Sequence, residues 1–244
     1  MATHSVAGAT SRQVAIITGG SQGIGAGLVA AYRHREWAVV ANSRTIRPGA
    51  DPAVVAVAGD VSDPTTVEQI VAAAMASFGR IDTLVNNAGV FIAKPFTAYT
   101  DADFATAVSV NLTGFFRLTQ RVIAEMLTRQ AGGHIVNVTT TLVDSASSEL
   151  PAALTALTKG GVAAATKSLA IEYASRGIRV NAVSPGVIQT PEHAPDSYDA
   201  AARLAPVGRV GQVSDVVDGI MFLESSPYIT GEIVRIDGGQ VAGH

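Results

Sequence analysis

Thr155 and Lys159 stand four residues apart, so a helix through them sets a hydroxyl and an amine on one face. That pair handles protons only if the hydroxyl ionises within reach of neutrality. A phenol, with a pKa near ~10, can be drawn down by a neighbouring cation, whereas an aliphatic hydroxyl is far too weak an acid. A second chemical feature is Gly19-Gly20-Ser21-Gln22-Gly23-Ile24-Gly25, which follows an apolar strand pattern and runs into a helical one. Glycines there permit a tight turn and let a pyrophosphate approach backbone N–H groups at a helix N-terminus, although a plain strand-to-helix turn has the same composition. A third is Ser43-Arg44 after the next strand pattern, where a guanidinium can grip a phosphate or simply stand in solvent. Disulfides, thiolate metal sites and a cysteine nucleophile are excluded, since cysteine is absent from the chain.

Short β-rich runs alternate with longer Ala/Leu-rich stretches, the pattern of a parallel sheet covered on both faces. The spacing predicts strands over 14–18, 38–42, 54–58, 83–86, 134–139, 179–184 and 233–237. Several are uniformly apolar, as doubly buried strands are. Helices are predicted over 24–34, 64–78, 101–129, 152–175 and 214–224, with Asp63-Pro64 and Ser214-Asp215 opening two of them and Gly79 and Gly177 as stops. The expectation is one α/β domain over 13–244, a Rossmann-like, doubly wound parallel sheet of about seven strands, preceded by a flexible extension over 1–12. The Pro-, Asp- and Ala-rich segment 190–206 interrupts the alternation and reads as a substrate lid. At 244 residues with 48% hydrophobic and 15% charged residues, the chain has ample material for a core. A net charge of −3 without basic clusters excludes a nucleic-acid surface, and no apolar run is long enough to span a bilayer. Met1–Arg12 has no apolar core of a signal peptide, so the expected location is the cytoplasm.

Taken in order, the motifs resemble those of the classical short-chain dehydrogenase/reductase family over nearly the whole chain beyond the first dozen residues. The likeness rests on Thr18-Gly19-x-x-x-Gly23-Ile24-Gly25, Asp60-Val61, Asn86-Asn87-Ala88-Gly89, Val110-Asn111-Leu112-x-Gly114, Arg179 to Gly186 and Thr230-Gly231-Glu232 to Gly239. The resemblance implies a nicotinamide dinucleotide. It would be held by Gly19, Ser21, Gln22, Gly23, Ile24 and Gly25, by Ser43 and Arg44, by Asp60 and Val61 at the adenine, and by Asn87, Ala88 and Gly89. Lys159 would take the nicotinamide ribose, and Pro185, Gly186, Ile188 and Thr190 would complete the site. The second strand ends Asn42-Ser43-Arg44 without the acid that binds a ribose 2′-OH, which favours NADP(H) over NAD(H). Gln22 stands where NADP-preferring relatives often carry a second basic residue.

The same resemblance implies a proton-transfer set of Ser, Tyr, Lys and Asn. Here Lys159 and Asn111 match, the serine position falls on Thr140 or the adjacent Thr141, and Thr155 stands where the tyrosine would be. No shifted copy exists: the lysines are Lys94, Lys159 and Lys167, preceded at four residues by Val90, Thr155 and Ala163. Substitute proton sources are His193 in the lid, Glu149, Asp144, Tyr198, Tyr99, or a relay through Thr155 and an ordered water. The expected function is an NADP(H)-dependent oxidoreductase acting on a small carbonyl, alcohol, imine or enone with a non-tyrosine proton source. Alternatives are a catalytically impaired cofactor-binding or regulatory subunit, and a non-redox enzyme on the same fold. The family's habit of pairing the lysine-bearing helix with its neighbour implies a homo-oligomer, dimer or tetramer, and the alanines 163–165, 170 and 174 offer a close-approach face or internal packing.

Overall fold

The computed structural model describes residues 12–191 and 202–243. Seven strands form one sheet: β1 (Val14–Thr18), β2 (Ala38–Ser43), β3 (Val54–Ala58), β4 (Thr83–Asn86), β5 (Gly133–Val138), β6 (Ile178–Pro185) and β7 (Ile233–Ile236). They lie in the order β3-β2-β1-β4-β5-β6-β7, and every pairing is parallel. The helices are α1 (Gly23–His34), α2 (Pro64–Phe78), α3 (Asp101–Ala107), α4 (Phe115–Arg129), α5 (Ala153–Tyr173) and α6 (Val213–Glu224). The two faces explain why the central strands are apolar throughout. Val14 and Ile16 of β1 pack with α2, α4 and α5, whereas Ala15 and Ile17 pack with α1 and α6. The chain reverses direction across the sheet between β1 and β4, and in open α/β sheets a crevice forms at the carboxyl ends of the strands at such a point.

Two local expectations need correction, and one left open is resolved. The predicted helix over 101–129 is interrupted: Val108–Gly114 is wound as a π turn between α3 and α4. Helix α6 is capped by Gln212 with Asp215 closing a capping box, so Ser214 lies inside the helix and does not open it. On α5, Ala163 and Ala170 take the internal-packing alternative, buried against the core, while Ala164 and, just past the helix end, Ala174 are exposed. Asp63 does cap α2, accepting from the Thr65 N–H at 2.8 Å, and Gly79 ends it in the left-handed region.

At the end of the sheet away from the crevice, a buried polar knot ties three strands to two helices. Glu224, at the end of α6, accepts from the Tyr32 hydroxyl at 2.6 Å and the Thr83 hydroxyl at 3.0 Å, and meets His134 Nδ1 at 3.3 Å. His134 Nε2 faces the donors Asn181 Nδ2 and Arg179, so the ring is neutral with its proton on Nδ1. Burial holds its pKa below the ordinary histidine value, outweighing the opposite pull of Glu224. Among the described residues no helix is long and apolar enough to cross a membrane, and no cluster of His, Cys, Asp or Glu forms a metal site.

Candidate functional site

The β1-to-α1 turn is built by backbone contact. Gly19 has φ +68°, and a Cβ on Gly25 would lie 2.0 Å from the Gly19 carbonyl oxygen, so α1 begins against the turn it leaves. No side chain caps α1, and its first turn carries no acidic residue, which leaves the positive end of the helix suited to an anion. The turn is fastened to β4 by Thr18, whose hydroxyl oxygen accepts from the N–H groups of Asn87 (3.0 Å) and Ala88 (2.9 Å). Asn87 Nδ2 in turn donates to the Thr18 carbonyl at 2.9 Å. Below this, Asn86 Nδ2 donates to Asn137 Oδ1 and Thr119, and Asn137 Nδ2 donates to Thr166, so buried amides bind β4, β5, α4 and α5 together.

Above these strand ends opens a cleft of about 700 Å³. It is lined by Gly19, Ser21, Gln22, Gly23 and Ile24 of the glycine turn and by Ser43, Arg44, Asp60 and Val61 beyond β2 and β3. Asn87, Ala88 and Gly89 line it from β4, and Pro185, Gly186, Ile188 and Thr190 from the far side. Residues far apart in the chain thus converge on one cleft. Gly25 and Asn111 do not line it: Gly25 supports the turn from behind, and Asn111 lies beneath the floor. Arg44 is exposed and makes no side-chain hydrogen bond or ion pair among the described residues, though its charge helps to lower the Asp60 pKa. Asp60 both lines the cleft and holds its own turn. Hydrogen bonds from the Ser62 N–H and hydroxyl keep its carboxyl below the usual range.

At the other end, Thr139, Thr140 and Thr141 all line the cleft, and their bonding separates them. Thr139 donates to the Val183 carbonyl at 2.9 Å, and Thr141 is buried. Thr140 is half-buried and accepts from the Leu142 N–H at 3.4 Å, which leaves its own hydroxyl proton for a ligand. Lys159 is buried, and Nζ donates to the Val138 carbonyl at 2.7 Å. Burial alone lowers its pKa from 10.5 to about 8. Thr155 lines the cleft one turn earlier, but its hydroxyl bonds the peptide of Ile92, accepting from the N–H at 3.3 Å and donating to the carbonyl at 3.4 Å. Asn111 sits in the π turn, where its Oδ1 accepts from the Val90 N–H and its Nδ2 donates to the Val90 carbonyl and to Thr158. Between Asn111 and Lys159 lies a small cavity of about 10 Å³, the size of a single water.

Of the substitute proton sources, His193 and Tyr198 lie outside the described residues. Asp144 pairs with Arg235 at 3.0 Å, and Tyr99 donates to the Ile92 carbonyl at 2.9 Å; neither lines the cleft. Glu149 does line it, on an exposed loop. Of the segment 190–206, Thr190, Pro191 and Leu204 reach the cleft. Sequence reasoning missed Asn42, whose amide donates to the Val57 and Gly59 carbonyls and shapes the cleft edge, and Ile92, which no pattern marks.

A family model described as enoyl-(acyl-carrier-protein) reductase matches residues 19–240. Among curated relatives, a 3beta-hydroxysteroid dehydrogenase 1 of Eggerthella lenta is 37% identical over 244 residues, covering 92% of each chain. The 3-oxoacyl-(acyl-carrier-protein) reductase FabG of Thermotoga maritima is 35% identical, covering 94% of this chain and 98% of that one. Among solved structures, ElxO with NADP bound superposes with a TM-score of 0.88 at 29% identity, covering 95% of this chain and all of that one. The 3-ketoacyl-(acyl-carrier-protein) reductase of Brucella melitensis complexed with NADH gives 0.87 at 31% identity, covering 94% and 98%. With the cleft, the motif order and these relatives in agreement, the chain belongs to the short-chain dehydrogenase/reductase family.

Proposed function

We propose that this chain is an NADP(H)-dependent oxidoreductase that interconverts a small carbonyl compound, or a related imine or enone, and its reduced form, without a tyrosine as proton donor. The observation that carries this reading is the convergence of the glycine turn, Arg44, Thr140 and Lys159 on one cleft. The cradle fits the cofactor: the α1 N-terminus suits its pyrophosphate, Asp60 and Val61 its adenine, and Asn87–Gly89, Pro185, Gly186, Ile188 and Thr190 the remainder. When bound, the cofactor supplies or accepts hydride. Thr140 orients the substrate oxygen through its unengaged hydroxyl proton, and Lys159 holds the nicotinamide ribose. The relatives' names, which include dehydrogenases and ketoacyl reductases, support redox chemistry at a carbonyl.

Arg44 favours the 2′-phosphate, by analogy with charge-assisted phosphate recognition elsewhere. The variant Arg44→Ala is expected to weaken NADPH at least ~10-fold, about the ~1.4 kcal/mol of one charge-assisted bond, and leave NADH nearly unchanged. Equal losses for both cofactors would reject the assignment. Thr155 occupies the place of the family's tyrosine, and Thr155→Tyr is expected to raise carbonyl reduction by ~10²-fold or more if the rest of the site is assembled.

A second reading, a cofactor-binding subunit without turnover, is favoured by one observation: the Thr155 hydroxyl is engaged by the Ile92 peptide. Measuring NADPH and NADH binding, then turnover on carbonyl, imine and enone panels, separates the two. Tight NADPH binding with no turnover on any panel would select the second. A homo-oligomer is part of the proposal, since Leu157 and Ile171 on α5 and Phe116 on α4 are exposed. A monomer by light scattering would remove that part.

A further inference from the structure

We infer that Lys159 is itself the proton donor of this site, its ammonium protonating the substrate oxygen across the space that a phenol at position 155 would fill. The inference rests on the oxidoreductase reading and adds the proton source to it. The hydroxyl one turn before the lysine is held on both its donor and acceptor sides by Ile92, so Thr155 is poorly placed to relay a proton. Lys159 has the capacity that Thr155 lacks. An ammonium carries three N–H donors, and Val138 is the single protein acceptor for Nζ among the described residues. One further N–H can hold the ribose while another faces the reacting oxygen.

The side chain borders both the cleft and the water-sized cavity beside Asn111. Gly89 keeps the cleft side open, because a Cβ there would come within 3.0 Å of Nζ. The groups that share the small cavity with Lys159 are uncharged, among them Thr18 from β1, Asn86 from β4, Asn111 from the π turn and Val138 from β5. The ionisable groups of the cleft are Arg44 and Asp60 at one end and Glu149 on the loop after Leu142, and none of them perturbs Lys159. Burial without a carboxylate partner therefore sets its acidity, at about 8. A donor tuned close to the working pH is the efficient choice for general acid catalysis, and one water between donor and acceptor is an adequate path.

In the reductive direction, the carbonyl carbon gains the hydride of the reduced nicotinamide, and the C=O π pair moves to oxygen. That oxygen takes a proton from Nζ, the N–H electron pair remains on nitrogen, and the neutral amine regains a proton from solvent. Reduction then requires the ammonium, so its rate is full below about 8 and falls above it.

Two measurements test this on the NADP-loaded protein. With lysine labelled at the ε-carbon, NMR shows three signals, because the chain holds three lysines, and Lys159→Arg assigns one of them. That signal is expected to titrate near 8, matching the basic limb of the kcat/KM profile for reduction. Titration near 10 would overturn the inference while leaving the oxidoreductase reading intact. Lys159→Arg keeps the charge and the ribose donors but cannot release a proton near neutrality. It is expected to bind NADPH within a few-fold of wild type, to lose at least ~100-fold in kcat and to lose the basic limb. Should arginine disturb the fold, Lys159→Ala with added ethylamine replaces it, and rescue by the amine is the expected result. Wild-type turnover that survives these substitutions, or fails to respond to amine, would also overturn the inference. Absence of any turnover in wild type and in Thr155→Tyr, with NADPH bound, would overturn the reading and the inference together.

Discussion

Gly25→Ala is expected to weaken NADPH binding by at least ~100-fold, equivalent to about 2.7 kcal/mol, and to lower the unfolding free energy by about 2–3 kcal/mol. The cause is backbone collision. The added Cβ would stand 2.0 Å from the Gly19 oxygen, 2.7 Å from its carbonyl carbon and 2.8 Å from Asn87 Nδ2. The first two are backbone atoms, and the Asn87 amide is held in place by its bond to the Thr18 carbonyl. Relief requires the turn to move off α1, and the turn is held to β4 through Thr18 and Asn87. The strain therefore falls on the backbone that faces the ligand. Calorimetric titration with NADPH and urea unfolding of the cofactor-free protein measure the two effects. A dissociation constant within threefold of wild type would show that the turn is not the binding element.

Lys159→Met is expected to act in the opposite direction on stability while removing activity. The cofactor-free protein should gain about 2 kcal/mol at neutral pH, because burial that lowers the pKa from 10.5 to about 8 holds roughly 3 kcal/mol against folding, less about 1 kcal/mol for the hydrogen bond lost at Val138. The pH dependence identifies the origin. Between about 8 and 10.5 the unfolded chain keeps a proton on this lysine that the folded chain has released, so wild-type stability rises with pH across that window. The advantage of the methionine is therefore complete below about 8 and shrinks towards 10.5. Urea unfolding of both proteins at pH 7 and pH 9.5 tests it. A wild type more stable than the variant at pH 7 would mean that the buried ammonium has compensation that its surroundings do not reveal.

Much of this was legible in the sequence, for identifiable reasons. The strands of a doubly covered sheet must be apolar on both faces, so Val14–Thr18 and its neighbours could be read directly. The glycine turn and the Asn86–Gly89 strand end depend on backbone approach, which few residue types permit. Where several residue types satisfy the same need, the reading failed. A π turn keeps helical composition, so nothing in Val108–Gly114 announced the break in the long helix. Gln212 rather than Ser214 caps α6 because Asp215 reaches back to it, a choice made by geometry. Ala163 and Ala170 were left open between a surface face and internal packing because alanine suits either side, and they turn inward where α5 packs on the sheet. Thr139, Thr140 and Thr141 were distinguishable only by burial and bonding. The grip of Thr155 on Ile92 pairs residues 63 apart and has no local trace.

The π turn also sets how this site tolerates changes in chain length. One residue beyond the α-helical count turns everything after it by about 100° relative to a regular helix. Asn111 reaches the Val90 peptide and Thr158 from within that turn. Removing one residue anywhere in 108–114 would leave a good helix with the same composition and ends, but with α4 and the asparagine out of phase. The loop between Thr140 and Thr155 carries no such register. Along this wall of the cleft, a loop insertion is a smaller perturbation than a single deletion in a helix that remains a helix.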